Sequence, residues 1–321
     1  MSRIAIIGAG AWGTALAIQA ARAGREVTLW ARDPARAGDI AMRRENPRLP
    51  GIAIDKAITV TADFATLSAD LFLLAVPVQH LRAVAQGLPA GPAVICAKGI
   101  EAATGLMPSE MLAELAPGRP LAVLSGPNFA AEIARGLPAA AVIAAREAAL
   151  RQRIMAALAS DQFRLYGNDD PIGAELGGAA KNVIAIAAGA VIGAGLGENA
   201  RAALITRGLA EMARLAHALG GRAETMSGLA GLGDLVLTAT GPMSRNFSLG
   251  LALGQGERLS AALPRLRGVA EGVATAPALV ARAAKAGCDL PIAAAVAAVL
   301  AGKASLGEAM TGLFARPLRD E

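Results

Sequence analysis

Two patterns of hydrophobic and polar positions divide the chain, and one gives way to the other near residue 170. Up to about Gly167, short runs of β-branched and other apolar residues alternate with segments of helical periodicity. Buried strands separated by helices are typical of a parallel sheet covered by helices on both faces. This part of the chain is therefore predicted to be a doubly wound α/β domain. Its predicted strands are Arg3–Ile7, Glu26–Trp30, Leu71–Val76, Ala93–Ala97, Leu121–Ser125 and Ala139–Ala144.

The second pattern begins after Pro171, where strand signals almost disappear. Alanine, leucine and glycine dominate long segments of helical periodicity. We therefore predict two domains, an α/β domain over residues 1–169 and an all-α domain over residues 170–321, with the boundary near Asn168–Pro171. The main predicted helices are Glu175–Gly189, Ala200–Leu219, Phe247–Gly254, Ala274–Ala286 and Pro291–Ala301.

A hydrophobic content of 54% raises the question of a membrane segment. The uncharged runs Asn182–Gly197 and Leu290–Gly302 are both shorter than the ~20 residues that a spanning helix needs, so we predict none. The chain starts without the ordered regions of a signal peptide. Cys96 and Cys288 are too few for a disulfide framework or a metal site, as is typical of a reducing compartment. We expect a cytoplasmic protein without a bound metal.

The formal net charge of +5 could indicate binding to nucleic acid. The basic residues are scattered, however, and aromatic residues make up only 3% of the chain, so platforms for base stacking are scarce. We therefore expect no nucleic-acid partner. The excess positive charge is attributed to the solvated surface and to local anion binding.

The segment 4-IAIIGAGAWGTALA-17 carries a glycine motif with a physical purpose. Gly8, Gly10 and Gly13 have G-x-G-x-x-G spacing between the strand Arg3–Ile7 and the helix predicted at Thr14–Ala23. In a dinucleotide site the first glycine allows a tight turn, the second admits a pyrophosphate, and the third lets helix and strand pack closely. The motif therefore predicts that the α/β domain is Rossmann-like, against the alternative of a glycine-rich turn without a ligand.

The end of the second strand bears on the choice between NAD and NADP. An acidic residue there usually holds the ribose hydroxyl of NAD, whereas an arginine accommodates the 2′-phosphate of NADP. Here Arg32 and Asp33 follow Trp30. The sequence permits NADP and does not exclude NAD. Both residues could also belong to a solvated turn before Pro34.

Polar residues follow two later strands of the predicted sheet. Lys98 follows Ala93–Ala97, and Gly126 and Asn128 follow Leu121–Ser125. Ligands of α/β folds bind at the carboxyl ends of parallel strands, so these residues are candidates for a binding site. The alternatives are a solvated lysine and an ordinary turn in which Asn128 caps the next helix.

The segment 228-GLAGLGDLVLTATGPMSRNFSLG-250 places polar residues among glycines and before an apolar helix. Asp234 is bracketed by glycines, and Ser244, Arg245 and Asn246 precede the helix Phe247–Gly254. Such side chains beside the free N–H groups of a helix start form a good phosphate site. The alternative is that Ser244 is only a helix cap.

Lys181 lies within the apolar segment 175-ELGGAAKNVIAIAAG-189, although the chain has only five lysines. Its helical neighbours Gly177, Gly178 and Ala185 are all small. Because interior glycines weaken a helix by up to ~1 kcal/mol each, we expect them to leave open room beside the lysine. The alternative is a lysine that reaches the surface from a buried helix. His80 and His217 show no catalytic spacing.

These segments, taken in order, resemble bacterial-type NAD(P)-dependent glycerol-3-phosphate dehydrogenase over essentially the whole chain. The resemblance rests on GAGAWGTALA, SGPNFAAEIARG, ELGGAAKNVIAIAAG and GLAGLGDLVLTATGPMSRNFSLG. It implies reversible reduction of dihydroxyacetone phosphate to sn-glycerol 3-phosphate for glycerophospholipid biosynthesis, with a phosphorylated small-molecule substrate and a homodimeric enzyme. One departure is Asn128, where the family usually has Ser or Thr, and we expect its amide to replace the hydroxyl as a donor.

The resemblance also implies roles for individual residues. Lys181 matches the catalytic lysine. The implied substrate-binding residues are Lys98, Gly126, Asn128, Lys181, Asp234, Ser244, Arg245 and Asn246. Besides Gly8, Gly10 and Gly13, the implied cofactor-binding residues are Ala11, Trp12, Arg32, Lys98, Ala130, Arg245, Val269 and Glu271.

Two other functions stay open on the sequence. A related reductase could act on another small 2-hydroxy or 2-keto compound, although it would have little use for the Ser-Arg-Asn anion site. A nucleotide-binding sensor without turnover would keep the glycines but has no need of Lys181 with Asp234.

Overall fold

The computed structural model describes residues 1–266 and 268–315. These residues form two compact units. The first unit contains Met1–Lys98 and Leu106–Glu175, and the second contains Gly99–Gly105 and the chain from Leu176 onward.

A mostly parallel sheet forms the centre of the first unit. Its strands are predominantly apolar, and β-branched and leucine side chains such as Ile6, Leu29 and Leu73 are fully buried between the helical layers. The strands of this unit are β1 (Arg3–Ile7), β2 (Glu26–Trp30), β3 (Glu45–Asn46), β4 (Leu49–Ala53), β5 (Thr59–Thr61), β6 (Leu71–Leu74), β7 (Ala93–Ile95), β8 (Leu121–Ser125), β9 (Ala139–Ala144) and β10 (Phe163–Asn168).

Within the described residues, the main sheet has eight strands in the order β10-β9-β8-β7-β6-β1-β2-β5. Neighbouring strands are parallel except β8 and β9, where Leu124 lies opposite Ile143 in antiparallel register. β3 and β4 form a separate antiparallel hairpin. The chain runs outward from β1 to β2 and β5, and then returns to β6 on the other side of β1. The order therefore reverses between β1 and β6, which is where doubly wound sheets bind ligands.

Helices connect these strands and cover the sheet. They are α1 (Ala11–Arg22), α2 (Pro34–Arg43), α3 (Val78–Ala85), α4 (Pro108–Leu115), α5 (Ala130–Arg135) and α6 (Ala148–Leu158). The predicted fold class, a Rossmann-like, doubly wound and mostly parallel sheet followed by helices, is confirmed. Two predicted strands are too long, because β6 ends at Leu74 and β7 at Ile95.

The second unit is helical throughout the described residues. Its helices are α7 (Pro171–Gly193, which begins in the first unit), α8 (Gly197–Ala218), α9 (Ala223–Met226), α10 (Asp234–Ala239), α11 (Arg245–Gly254), α12 (Leu259–Ala262), α13 (Glu271–Lys285), α14 (Pro291–Leu300) and α15 (Leu306–Phe314). A π-helical turn, Leu229–Gly233, leads directly into α10.

Among the described residues, α7 is the helix that is long and apolar enough to cross a membrane, with a mean hydropathy of 1.5 in its most apolar window. That window is 89% buried inside the protein. The core helix of a folded domain can have this length and composition, and the burial of α7 identifies it as such a helix.

α7 packs against α11 with their backbones in contact, which glycine makes possible. A Cβ atom on Gly189 of α7 would lie 2.0 Å from the carbonyl oxygen of Phe247, and one on Gly250 of α11 would lie 1.9 Å from that of Ile186. Neither distance is possible for a real side chain. This contact fixes the start of α11 close to the middle of α7.

Candidate functional site

The glycine turn after β1 has a steric reason for each of its outer glycines. Gly8 has a φ of +117°, and a Cβ atom on it would lie 2.8 Å from Cγ1 of Val76. A Cβ atom on Gly13 would lie 1.8 Å from the carbonyl oxygen of Gly8, so any side chain there would push α1 away from β1. Around Gly10, by contrast, there is open space within 4 Å of a Cβ position. The turn is thus closed where α1 packs and open where a pyrophosphate would approach.

The start of α1 offers donors to an anion. The first intrahelical bond runs from Thr14 N to Gly10 O, at 2.9 Å, and no described side chain caps the helix. The amides of Ala11, Trp12 and Gly13 precede that bond and point out of the helix start. The indole Nε1 of Trp12 is also buried without a hydrogen-bond partner among the described residues. These residues fit a dinucleotide.

Arg32 and Asp33, which follow β2, have different surroundings. Asp33 is the N-cap of α2, where its Oδ1 accepts a hydrogen bond from Ala35 N at 3.0 Å. One carboxylate oxygen is therefore engaged in the turn before Pro34, as the solvated-turn alternative expects. Arg32 is exposed beside it.

Lys98, Gly126 and Asn128 lie together at the carboxyl ends of β7 and β8. Lys98 Nζ donates to the carbonyl oxygen of Gly126 at 3.0 Å. Gly126 has a φ of +128°, and a Cβ atom on it would come within 3.1 Å of Ala141 Cα. Half-buried Ala130 begins α5 nearby.

The structure places Asn128 and excludes one alternative for it. One of its two Nδ2–H donors bonds to the carbonyl oxygen of Ala140 at 3.3 Å, which leaves the second to act as the donor expected in place of a hydroxyl. Its Oδ1 is buried without a hydrogen-bond partner among the described residues, which makes it an acceptor. Asn128 does not cap α5, because the N-cap is Phe129.

In the second unit, Lys181 is buried, with 7% of its surface exposed, and its ammonium faces a carboxylate. Nζ donates to the side chain of Asp234, which is completely buried, and to Oγ1 of Thr238 at 2.8 Å. A buried charge of this kind persists only when it is paired and hydrogen-bonded. The alternative of a lysine that reaches the surface is therefore wrong. Thr238 was not predicted from the sequence, although it lies four residues after Asp234 on α10 and so on the same helix face.

The room expected beside Lys181 is filled, at least at Gly177. A Cβ atom on Gly177 would lie 2.4 Å from the carbonyl oxygen of Ala230, in the π-helical turn that leads into α10. The expectation of open space there is wrong. The glycine instead lets α7 approach the segment that carries Asp234, which brings that carboxylate to Lys181.

The start of α11 carries the predicted anion site. Buried Ser244 is the N-cap, and its Oγ accepts from Phe247 N at 3.2 Å, so it caps this helix and can still donate its hydroxyl hydrogen to a ligand. Exposed Arg245 lies against the backbone before Val269, because a Cβ atom on Gly268 would come within 2.6 Å of an Arg245 guanidinium nitrogen.

Asn246 holds three helices together. Its Nδ2 donates to Oδ1 of Asn182 on α7 at 2.9 Å, and its Oδ1 accepts from Gly272 N on α13 at 3.0 Å. The side chain that was expected to bind substrate is thus hydrogen-bonded within the protein. These bonds bring together three places in the chain: Lys181 and Asn182 on α7, Arg245 at the start of α11, and Glu271 at the start of α13. Asn182 was not singled out from the sequence, where only its position beside Lys181 pointed to it.

The remaining titratable groups near the site do not suggest other chemistry. Burial raises the pKa of the Cys96 thiol despite the nearby Lys98 ammonium, so this thiol stays protonated and unreactive. Within the described residues there is no group of three His, Cys, Asp or Glu side chains that could hold a metal ion.

The doubly wound sheet with its glycine turn, together with a helical unit built around a buried lysine–aspartate pair, defines the class: a nicotinamide-dependent oxidoreductase. Residues 3–151 match the family model described as the NAD-dependent glycerol-3-phosphate dehydrogenase N-terminus, and residues 170–311 match that of its C-terminus. The chain belongs to the NAD-dependent glycerol-3-phosphate dehydrogenase family.

Individual relatives match over at least 94% of their length. The glycerol-3-phosphate dehydrogenase [NAD(P)+] of Acidiphilium cryptum is 58% identical over 319 residues, which cover 99% of this chain and 98% of that protein. That of Rhodospirillum rubrum is 53% identical and covers 100% of this chain and 94% of its own. The crystal structure of glycerol-3-phosphate dehydrogenase from Coxiella burnetii is 37% identical, with a TM-score of 0.94 over 98% of this chain and 99% of that one.

Proposed function

We propose that this protein is an NAD(P)-dependent glycerol-3-phosphate dehydrogenase, which reversibly reduces dihydroxyacetone phosphate to sn-glycerol 3-phosphate and so supplies glycerophospholipid synthesis. The observation that carries the proposal is the buried ammonium of Lys181, hydrogen-bonded to Asp234 and Thr238. Family membership and full-length relatives with this activity in their names support the choice of substrate.

Lys181 is the proposed proton donor. Reduction of a ketone adds a hydride to the carbonyl carbon and a proton to the carbonyl oxygen, which develops negative charge. The bound nicotinamide cofactor supplies the hydride when reduced. An ammonium both donates a hydrogen bond to that oxygen and gives up the proton. Asp234 and Thr238 hold Nζ in one position, so the amine need not be ordered when the substrate binds.

The substrate phosphate needs an anchor separate from Lys181. Arg245 is the proposed anchor, because a guanidinium presents a planar fork of donors to phosphate oxygens, beside the start of α11. Asn128 is proposed to accept a hydrogen bond from a substrate hydroxyl through Oδ1. The proposed substrate-binding residues are Lys98, Gly126, Asn128, Lys181, Asp234, Ser244, Arg245 and Asn246.

Residues 1–169 are proposed as the dinucleotide-binding domain and residues 170–321 as the substrate-binding and catalytic domain. The proposed cofactor-binding residues are Gly8, Gly10, Ala11, Trp12, Gly13, Arg32, Lys98, Ala130, Arg245, Val269 and Glu271. We further propose that the protein is cytoplasmic and forms a homodimer. Sedimentation of the purified protein tests the oligomeric state.

The direct test is to mix purified protein with dihydroxyacetone phosphate and either NADH or NADPH, and to follow the absorbance of the reduced cofactor. We expect oxidation of at least one cofactor. Oxidation with unphosphorylated 2-keto compounds instead would favour the related reductase. Cofactor binding without any turnover would favour the sensor.

Replacing Arg245 by alanine should raise the KM for dihydroxyacetone phosphate by about 100-fold, with a much smaller effect on kcat. Charge-assisted hydrogen bonds contribute about 1.5–3 kcal/mol each, and the variant loses the fork that makes them. The measurement is steady-state kinetics at saturating cofactor, with Arg258→Ala as the control because Arg258 is an exposed arginine of the same unit. An unchanged KM would place the phosphate elsewhere.

A further inference from the structure

Three arginines meet at the carboxyl end of β2. Arg32 follows the strand by two residues, and Arg36 lies in the first turn of α2. Arg48 lies in the turn that joins β3 to β4. The hairpin β3–β4 does not pair with β2, so another contact must hold its turn near the end of β2.

Asn46 provides that anchor. Its side chain is 1% exposed, and its Nδ2 donates to the carbonyl oxygen of Ala9 at 3.1 Å and to Oγ1 of Thr14 at 2.7 Å. Its Oδ1 accepts from Arg48 N at 3.0 Å. One buried amide therefore ties the hairpin turn to the glycine turn, and Arg48 is held beside the start of α1.

The guanidinium groups of Arg36 and Arg32 are close enough to that of Arg48 to repel it. Burial lowers the pKa of Arg48, and the neighbouring Arg36 and Arg32 lower it further. In the part of the chain that the structure describes, no carboxylate forms an ion pair with any of the three. Two acidic residues of this region bond to other groups: Asp33 caps α2, and Asp39 pairs with Arg43 at 2.6 Å.

We propose that Arg36 and Arg48 join Arg32 in binding the 2′-phosphate of NADP, so that this protein prefers NADP(H) over NAD(H). In a Rossmann-like domain the pyrophosphate lies at the glycine turn and the adenosine ribose lies at the end of the second strand. A 2′-phosphate there would enter the arginine cluster and relieve its repulsion. The usual NAD device, a carboxylate on the ribose hydroxyl, is weakened here because Asp33 is a helix cap. The inference rests on the proposed function only for the class of cofactor.

The test measures binding rather than turnover. Adenosine 2′,5′-diphosphate and 5′-AMP differ only in the 2′-phosphate, and their dissociation constants for the purified protein can be compared by titration calorimetry. We expect the 2′-phosphate to tighten binding by at least about tenfold, and the advantage to shrink as salt is raised. Arg36→Ala and Arg48→Ala should each remove most of it.

Arg43→Ala is the matched control, since Arg43 lies on the same helix but is paired with Asp39. It should keep the full preference, whereas Arg48→Lys should keep only part, because lysine retains the charge but not the planar fork. Equal affinity of the wild type for both nucleotides would overturn the proposal. A preference that survives in both Arg36→Ala and Arg48→Ala would overturn their role. Neither result bears on the proposed dehydrogenase activity, which oxidation of NADPH or NADH in the presence of dihydroxyacetone phosphate decides.

Discussion

Replacing Lys181 by alanine should lower kcat by about 10³-fold or more and leave the dissociation constants of NADH and NADPH within about twofold of wild type. General acid catalysis contributes roughly 10²–10⁴-fold, and the hydrogen bond to the developing alkoxide is lost with it. Cofactor affinity should persist because the glycine turn and the start of α1 are built entirely from the first unit. Stopped-flow or steady-state kinetics together with fluorescence titration of the cofactor provide the measurement.

The control must account for Asp234, which this substitution leaves buried without its cation. Breaking a buried ion pair costs about 3–5 kcal/mol, so instability could imitate a catalytic defect. The double variant Lys181→Met with Asp234→Asn removes both charges and should fold while remaining inactive. Lys285→Ala changes an exposed lysine of the same unit and should be fully active. Substantial turnover in the folded double variant would remove Lys181 from the chemistry.

Local patterns predicted much of the first unit. β1, β2, β8 and β9 were predicted to the residue, because each is a short apolar run bounded by turn residues. Four of the described strands were missed, for identifiable reasons. β3 has only two residues and β5 only three, and β4 contains Pro50 and Gly51, which are typical of a loop. β10 alternates buried and exposed positions at the sheet edge and contains a glycine.

The direction of β9 relative to β8 could not be predicted from the sequence either. Its apolar run is the same whether the strand is parallel or antiparallel to β8, and the general pattern favours parallel. Pairing direction depends on how the chain returns to the sheet, and the short helix α5 with its turn permits an antiparallel return. A run of hydrophobic residues carries no information about that geometry.

The site was predicted unevenly for a related reason. The glycine turn lies within six consecutive residues, so its spacing is visible in the sequence. The Lys181–Asp234 pair joins residues 53 apart, and only the family resemblance connected them beforehand. Neither the local spacing nor the family resemblance predicted the hydrogen bonds of Asn246. Its side chain bonds to Asn182 and Gly272, and these bonds form only once α7, α11 and α13 have packed.

Replacing Gly250 by alanine should destabilise the helical unit by about 3 kcal/mol and lower its Tm by roughly 6–12 °C. A Cβ atom on Gly250 would lie 1.9 Å from the carbonyl oxygen of Ile186, so α11 must move away from α7 along its length. The atoms that would have to shift are backbone atoms, which cannot move aside as a flexible side chain can. Calorimetric unfolding of the purified variant measures the change.

Gly38→Ala is the matched control, because Gly38 is also in a helix but has nothing within 4 Å of a Cβ position. There the substitution removes only the conformational freedom of glycine and should stabilise by about 0.4–1 kcal/mol. The opposite signs separate contact from propensity. If Gly250→Ala were as stable as wild type, the helices would not touch as described.

In the folded fraction of Gly250→Ala, displacement of α11 should also weaken the Asn246–Asn182 bond and move Arg245 relative to Lys181. We therefore expect kcat/KM for dihydroxyacetone phosphate to fall with stability, since this helix contact positions both the proton donor and the phosphate anchor.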